Sequence, residues 1–342
     1  MVMRKSRLWA IGSALLAAGL ALPALAGPRL DAIKQRGQLV CGVNTGLAGF
    51  SLPDSAGRWG GLDVDVCKAI AAALLGDADK VRYVPLNTQQ RFTALQTGEV
   101  DILSRNTTWT LTRDTQLGLN FTGITYYDGQ GFMVPRKLGV KSGKDLDGAT
   151  ICVQPGTTTE LNLADYFRAN NMKFKPVVIE NLQEVNAAFF AGRCDVLTTD
   201  ASGLAAILSK DAPNKGQDHV ILPDIISKEP LGPAVAQGDE QWADIVRWTV
   251  YALLEAEEYG VTQANVDKTA KDTVNPNVAR ILGKTPGMGK AIGLPEDWVV
   301  RAVKAVGNYG EIWDRNIKPL GLARGLNNLW DKGGLMYAPP IR

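Results

Sequence analysis

The residues best suited to chemistry in this chain lie in three polar stretches, each directly behind a short apolar run. Ser104 to Asp114 follows Leu103 and carries Arg105, Asn106, Thr108 and Arg113. Gln154 to Glu160 follows Val153 and carries Gly156, Thr157, Thr158 and Thr159. Thr198, Thr199 and Asp200 follow Leu197. A guanidinium binds a carboxylate through a fork of hydrogen bonds, so Arg113 suits an anionic ligand end. Gly156 to Glu160 stands between a strand pattern and a helix pattern, where free backbone N–H groups also favour an anion. Asp200 can accept from an ammonium. Together they read as a clamp for a zwitterion. Arg113 and Thr108 come from one side, and the Thr157 and Thr158 amides with Asp200 from the other. Burying both ligand charges is tolerable only when both are paired. Each residue also has a plainer role open to it: an ion pair with Asp114 or another acid for Arg113, a capping box of Thr157 with Glu160, and a helix N-cap for Asp200.

The elements that must position these stretches alternate along the chain. Leu39–Val43 reads as a strand, Leu62–Leu75 as a helix stopped by Gly76, and Val81–Pro85 as a strand. Gln89–Thr97 reads as a helix stopped by Gly98, and Val100–Leu103 as a strand. The rhythm recurs in Thr150–Val153, Thr158–Ala169, Lys175–Ile179, Val185–Ala191 and Asp195–Thr198. This is the βαβ pattern of an open, largely parallel sheet, read twice. In such sheets ligands bind beyond the carboxyl ends of the strands, where the three polar stretches fall. Two segments rich in glycine or proline, Tyr126–Phe132 and Lys228–Ala234, read as connections between the lobes. Two crossings return the chain to the first lobe, where Trp242–Glu258 reads as a long helix with Ile245, Trp248, Leu253 and Leu254 near one stripe. Residues from about 270 to 342 read as a long irregular tail packed on the first lobe.

Residues 1–26 differ in kind. Arg4, Lys5 and Arg7 precede an apolar run from Leu8 to Leu22, then Pro23 and Ala24-Leu25-Ala26, the pattern of a cleaved signal peptide. The mature protein is expected to begin at Gly27 and to reach a bacterial periplasm. Removing the leader leaves 34 of the 37 Lys plus Arg against 35 Asp plus Glu, a net charge of −1. That balance argues against nucleic acid or an anionic membrane as partner. The four cysteines, Cys41, Cys67, Cys152 and Cys194, form no CxxC pair, and His219 is the lone histidine. A zinc site therefore lacks ligands, and neither metal nor cofactor is expected. In an oxidising compartment two disulfides are expected, with three pairings open. Cys41–Cys67 with Cys152–Cys194 is favoured, because each bond then stays inside one lobe.

In this order and spacing, Gly61-Leu-Asp-Val-Asp65, Gly98-Glu-Val-Asp101, Thr110-Leu-Thr-Arg113, Gly156-Thr-Thr158 and Gly192-Arg-Cys-Asp195 through Asp200 resemble the periplasmic solute-binding proteins (family 3 type) that serve polar amino-acid ABC transporters. The resemblance covers essentially the whole mature chain. Asn106-Thr-Thr-Trp109, Tyr126-Tyr-Asp-Gly-Gln130, Ile226–Gly232, Gly307-Asn-Tyr-Gly-Glu311 and Arg324-Gly-Leu-Asn327 are similar to the long, broad-specificity general L-amino-acid-binding group. The resemblance implies a periplasmic-binding-protein fold: two α/β lobes on a two-stranded hinge, with the ligand cleft between them. Lobe 1 would be 27–131 with 233–342, and lobe 2 would be 132–232. It implies that Arg113 binds the ligand carboxylate, helped by Thr108 and the Thr157–Thr158 turn. Asp200, the Asn106 carbonyl and the Thr108 hydroxyl would bind the ammonium. The ligand side chain would lie near Leu47, Phe50, Thr88, Arg105 and Thr159. Leu47 and Thr88 stand where narrower relatives often carry an aromatic wall, which implies a roomier pocket. Arg105 stands where a small residue is usual, and is expected to disfavour Lys and Arg ligands and to welcome acidic or amide side chains.

The implied partners are an L-amino acid and the permease subunits of an ABC transporter in the inner membrane, with the receptor itself a monomer. Two other functions remain open to the same scaffold. One is a periplasmic dehydratase, for which Glu160 is the residue to watch. The other is a sensor subunit feeding a signalling receptor. The dehydratase needs a positioned acid or base, and no GxSxG nucleophile motif or metal constellation is present.

Overall fold

The first strand, Leu39–Asn44, is buried along its whole length, as a strand covered on both faces must be. In the computed structural model, which describes residues 27–342, it lies second from the edge of a five-stranded sheet. Val81–Leu86 and Ile102–Leu103 flank it in parallel, Ala234–Ala236 pairs antiparallel with Ile102–Leu103, and Leu119–Phe121 on its far side runs with the parallel set again. The second sheet repeats this order. Thr150–Val153 runs parallel to Lys175–Val178 and Val196–Asp200, Gln130–Pro135 pairs antiparallel with Val196–Asp200, and His219–Ile221 beyond it runs with the parallel set. The expectation of largely parallel sheets holds, with four strands of each sheet running one way and a single strand, Ala234–Ala236 or Gln130–Pro135, running against them. The antiparallel strands arise because the chain enters the second lobe, and returns to the first, running against the parallel set. The leader segment 1–26 lies outside the described residues.

The two lobes share a device that their parallel sequences foreshadow. The Asp101 N–H donates to the Val40 carbonyl (2.8 Å), and its carboxylate accepts the Val40 N–H (2.7 Å). Asp195 makes the same ring with Thr150, at 2.8 Å in both directions. Each aspartate thereby sets the start of one parallel strand against the next. Each lobe also closes one disulfide, Cys41–Cys67 and Cys152–Cys194, across 26 and 42 residues. Loops of that length remove about 3.5–4 kcal/mol each of unfolded-state entropy in the chain-entropy model.

A two-stranded ribbon joins the lobes: Tyr126–Asp128 pairs antiparallel with Glu229–Leu231. The first strand of the second sheet begins at Gln130. The ribbon's outer edges are occupied. On one side the Pro230 carbonyl accepts the Trp109 N–H (2.8 Å), and proline has no N–H of its own to leave unpaired. On the other, the Asn327 amide accepts from the Tyr127 N–H (2.7 Å) and donates to the Tyr127 carbonyl (3.1 Å).

The tail is not irregular. It forms helices Val266–Asp272, Pro276–Ile281, Met288–Ile292, Trp298–Val306 and Tyr309–Asn316. They are short and separated by glycine or proline, so no long periodic pattern marks them. Trp298–Val306 buries Val299, Ala302, Val303 and Val306 and packs on Leu62–Leu75. Trp313 stacks on Tyr126 of the ribbon (5.4 Å between centroids), and the Tyr309 hydroxyl donates to the Thr125 carbonyl (2.8 Å).

Candidate ligand-binding site

The space between the lobes, about 330 Å³, is lined by polar residues from both sheets. Lobe 1 supplies Asn44, Thr88, Arg91, Arg105, Asn106 and Thr108; lobe 2 supplies Gln154, Thr157 to Thr159, Thr199 and Asp200. All lie at or just beyond the carboxyl ends of parallel strands, as the open-sheet rule requires.

The local folding of each side chain is explicable. Asn106 adopts a positive φ of 33°, a conformation that asparagine enters more readily than most residues. Asp63 fixes it by accepting the Asn106 N–H (2.9 Å), and the Asn44 amide donates to the Asn106 side chain (3.0 Å). Thr108 is bridged to Leu231 of the hinge, which places its hydroxyl beside Glu229. Thr157 caps the helix Thr158–Ala169 by accepting the Glu160 N–H (3.0 Å). Glu160 itself accepts the Gly156 N–H (2.9 Å), so the turn is closed by both side chains.

Three guanidiniums stand on the lobe 1 side without a carboxylate in ion-pair range among the described residues. Arg113 is nearly buried (7 % exposed), donates from Nη1 to the Thr108 carbonyl (2.8 Å) and lies over the Phe92 ring. The expected alternative, a surface pair with Asp114, is not formed. Arg113 stands behind Thr108 and is not among the residues that line the open space. Arg105 is buried and spends only Nε on a protein acceptor, the Leu86 carbonyl (2.9 Å). Arg91, which the sequence reading did not single out, is also buried against Phe92, 4.7 Å from the ring centroid. It reaches across the cleft to the Gly156 carbonyl (3.3 Å), and its Nε has no partner. Burial lowers all three from the usual guanidinium range, to about 10 for Arg105 and Arg113.

The opposite side is acidic. Asp200 is buried at the start of helix Ala201–Lys210, yet its side chain makes no capping hydrogen bond. Burial, then the neighbouring carboxylates of Asp128 and Glu229, push its carboxyl well above the ordinary range, against the pull of Arg91 and Arg113. Asp128 is raised to about 6, chiefly by burial, and holds the Ser202 hydroxyl. On the lobe 1 side, beside Arg105, Asp63 is raised to about 7, again by burial first, with its Asn106 hydrogen bond opposing.

Glu229 is the second residue that the sequence reading missed. From the hinge strand its Oε2 accepts the Thr108 hydroxyl (2.6 Å) and the Thr158 hydroxyl (2.8 Å). Its Oε1 accepts from the Asn162 amide (2.7 Å) and the Ser227 hydroxyl (2.6 Å). The residue lies inside the segment read only as a connection, and an acid within that glycine- and proline-rich stretch was the available signal. Arg91 follows the strand Val81–Leu86, so applying the strand-end rule to that strand would have found it.

Thr88, Arg105 and Thr159, expected at the ligand side chain, all line the open space. Leu47 and Phe50 do not. Phe50 is wholly buried, edge-on to Tyr126 at 5.4 Å, and Leu47 sits in a tight backbone turn whose carbonyl accepts the Ser51 N–H. Their apolar side chains enter the core of lobe 1. His219 packs between Phe189 and Phe190 in lobe 2, away from the cleft. Among the described residues no group of His, Cys, Asp and Glu has the arrangement of a metal site.

Two α/β lobes on a short ribbon, with guanidiniums facing a carboxylate across the gap, define a two-lobed solute receptor. The chain belongs to the bacterial extracellular solute-binding proteins, family 3, whose profile matches residues 39–265. It is 59% identical over 339 residues to the general L-amino acid-binding periplasmic protein AapJ of Rhizobium johnstonii, covering 97% of this chain and 98% of that one. It is 57% identical over 343 residues to the glutamate/glutamine/aspartate/asparagine-binding protein BztA of Rhodobacter capsulatus, covering 99% and 100%. Among solved structures, a periplasmic binding protein of an ABC transporter from Brucella ovis with glutathione bound superimposes with a TM-score of 0.89. It is 57% identical and covers 92% of this chain and 99% of that one.

Proposed function

We propose that this chain is the periplasmic substrate-binding component of an amino-acid ABC transporter, holding L-amino acids by their zwitterion and accepting varied side chains. The observation that carries the reading is the placement of opposite charges on the two sides of the cleft. Asp200 is buried with no protein hydrogen bond to its carboxylate, and Arg91 and Arg105 line the opposite wall, with Arg113 behind Thr108, none with a carboxylate in ion-pair range among the described residues. A buried charge without a partner is costly, and a ligand bearing both signs relieves both sides at once. Arg113 takes the α-carboxylate with the Thr158 amide beside it. Asp200, the Asn106 carbonyl and the Thr108 hydroxyl take the ammonium. Arg105, with Arg91, faces the ligand side chain and favours acidic and amide groups over Lys and Arg. Relatives described as general L-amino-acid-binding and as binding glutamate, glutamine, aspartate and asparagine support that breadth.

The ligand stabilises the closed arrangement because its two ends touch different lobes. The closed form then docks, as a monomer, on the permease subunits. The leader 1–26 would direct export, with the mature chain starting at Gly27; the two disulfides and the periplasmic relatives support that location. The protein acts by binding rather than by catalysis. Glu160, the one candidate acid for a dehydratase, is tied to the Gly156 N–H, and the histidine lies in the second lobe away from the cleft. Calorimetry of residues 27–342 against a panel of amino acids tests the reading. Dissociation constants below about 100 µM, or −5 to −6 kcal/mol, are expected for neutral and acidic amino acids. Absence of binding by both classes would overturn it.

A further inference from the structure

The geometry points to Glu229 as the residue that makes the receptor demand an ammonium rather than any other group on the ligand's α-carbon. This inference rests on the proposed function. It goes beyond it by assigning a positioning role to a hinge residue that does not line the cleft.

A threonine hydroxyl has one proton to give and lone pairs to offer. The protons of Thr108 and Thr158 both go to one oxygen, Glu229 Oε2, at 2.6 and 2.8 Å. The contact between the two hydroxyls is longer, 3.3 Å, and has no proton left for it. Glu229 is itself fully engaged, with the Asn162 amide and the Ser227 hydroxyl on its other oxygen. The carboxylate is therefore held rigidly, and both threonines present only lone pairs to the cleft they line. A group binding there must donate. An ammonium donates; a ketone oxygen cannot. The Thr108 hydroxyl is thus an acceptor for the ligand ammonium and not a donor to the ligand carboxylate, although the family resemblance admits both.

The surroundings act in the same direction. Glu229 pairs across the hinge with Asp128, and both carboxylates bear on Asp200. Asp200 is 6 % exposed and holds no proton donor from the protein. Three acids thus converge behind two hydroxyl lone pairs. Thr108 comes from lobe 1 and Thr158 from lobe 2, so Glu229 sets the polarity of both lobes from the hinge between them.

The test pairs each amino acid bound by residues 27–342 with its 2-oxo acid, glutamate with 2-oxoglutarate first, by calorimetry on the native chain and on Glu229→Gln. The native chain should prefer the amino acid strongly. Glu229→Gln removes the negative charge and frees the hydroxyl protons, so the preference should fall by about tenfold or more, the scale of a hydrogen bond to a charged group. A purely structural role would weaken both ligands alike and leave their ratio unchanged, and that result would overturn the inference. If Glu229→Gln does not fold, Thr108→Val reads the same acceptor. It should weaken glutamate and spare 2-oxoglutarate, and equal losses would overturn the inference. A native chain that binds no amino acid would overturn the receptor reading and this inference with it. Binding with an unchanged ratio would overturn this inference alone.

Discussion

The two walls of the cleft handle buried charge in opposite ways. On lobe 1, Arg91, Arg105 and Arg113 rest on backbone carbonyls and an aromatic face, with no carboxylate in ion-pair range among the described residues. On the far side the acids divide. Glu229 has every oxygen satisfied by the protein, whereas Asp200 has none of its own satisfied. The contrast separates scaffolding from readiness to bind. A carboxylate with four donors is finished and shapes its neighbours. A carboxylate and three guanidiniums left without partners are unfinished, and their cost in the empty state is what a zwitterion recovers by closing the gap.

The contrast can be broken most sharply at Arg113. Arg113→Ala should weaken every amino acid alike, by roughly 30-fold or more, because truncating one partner of a buried charge pair costs about 2–5 kcal/mol. Calorimetry across the panel would show it, and a loss confined to acidic ligands would move Arg113 from the zwitterion clamp to the side-chain pocket. Arg105→Ala should instead reorder the panel, lowering glutamate and aspartate by about tenfold against alanine, and a uniform loss would place Arg105 in the clamp.

Acidity gives a smaller effect. Asp200 is raised in the empty chain and is charged when it holds an ammonium, so binding releases a proton wherever the pH lies below its raised value. Affinity should weaken as the pH falls, by less than about tenfold per pH unit, the limit for one linked proton. Asp200→Asn should flatten that slope, and an unchanged slope would point to another group. Stability moves the other way. Asp63 near 7, Asp128 near 6 and Asp200 all hold protons more tightly folded than unfolded. Their contribution is complete below about pH 4 and is lost as the pH rises through their folded values. The empty chain should therefore show a lower Tm at pH 8 than at pH 5, with saturating ligand narrowing the gap. Scanning calorimetry at both pH values checks this.

Much of this was legible in the chain, and the rest was hidden for a common reason. Leu62–Leu75, Thr150–Val153 and Thr158–Ala169 match the structure residue for residue, because their caps and periodicity are local. Asp101 and Asp195 announce equivalent strands because each acts within its own βαβ unit. Glu229 could not be read in the same way. Its partners Thr108, Thr158 and Asn162 lie 121, 71 and 67 residues away, and only the folded hinge gathers them. Leu47 and Phe50 show the converse: a family position suggests the ligand pocket, but both side chains are buried in the core, with Phe50 edge-on to Tyr126. The tail helices, of five to nine residues, are too short for periodicity to stand out.

The Asn327 amide on Tyr127 also bears on how the chain is built. It belongs to the stretch beyond residue 265, where the family match ends, and it covers a strand edge made 200 residues earlier. An uncovered edge is a template for pairing with a foreign strand. During synthesis, which runs from the N-terminus, the hinge ribbon therefore keeps one sticky border until Asn327 arrives. The order of emergence makes the Asn327 contact a late stitch, and a chain cut short of residue 327 would leave that one edge of the hinge uncovered.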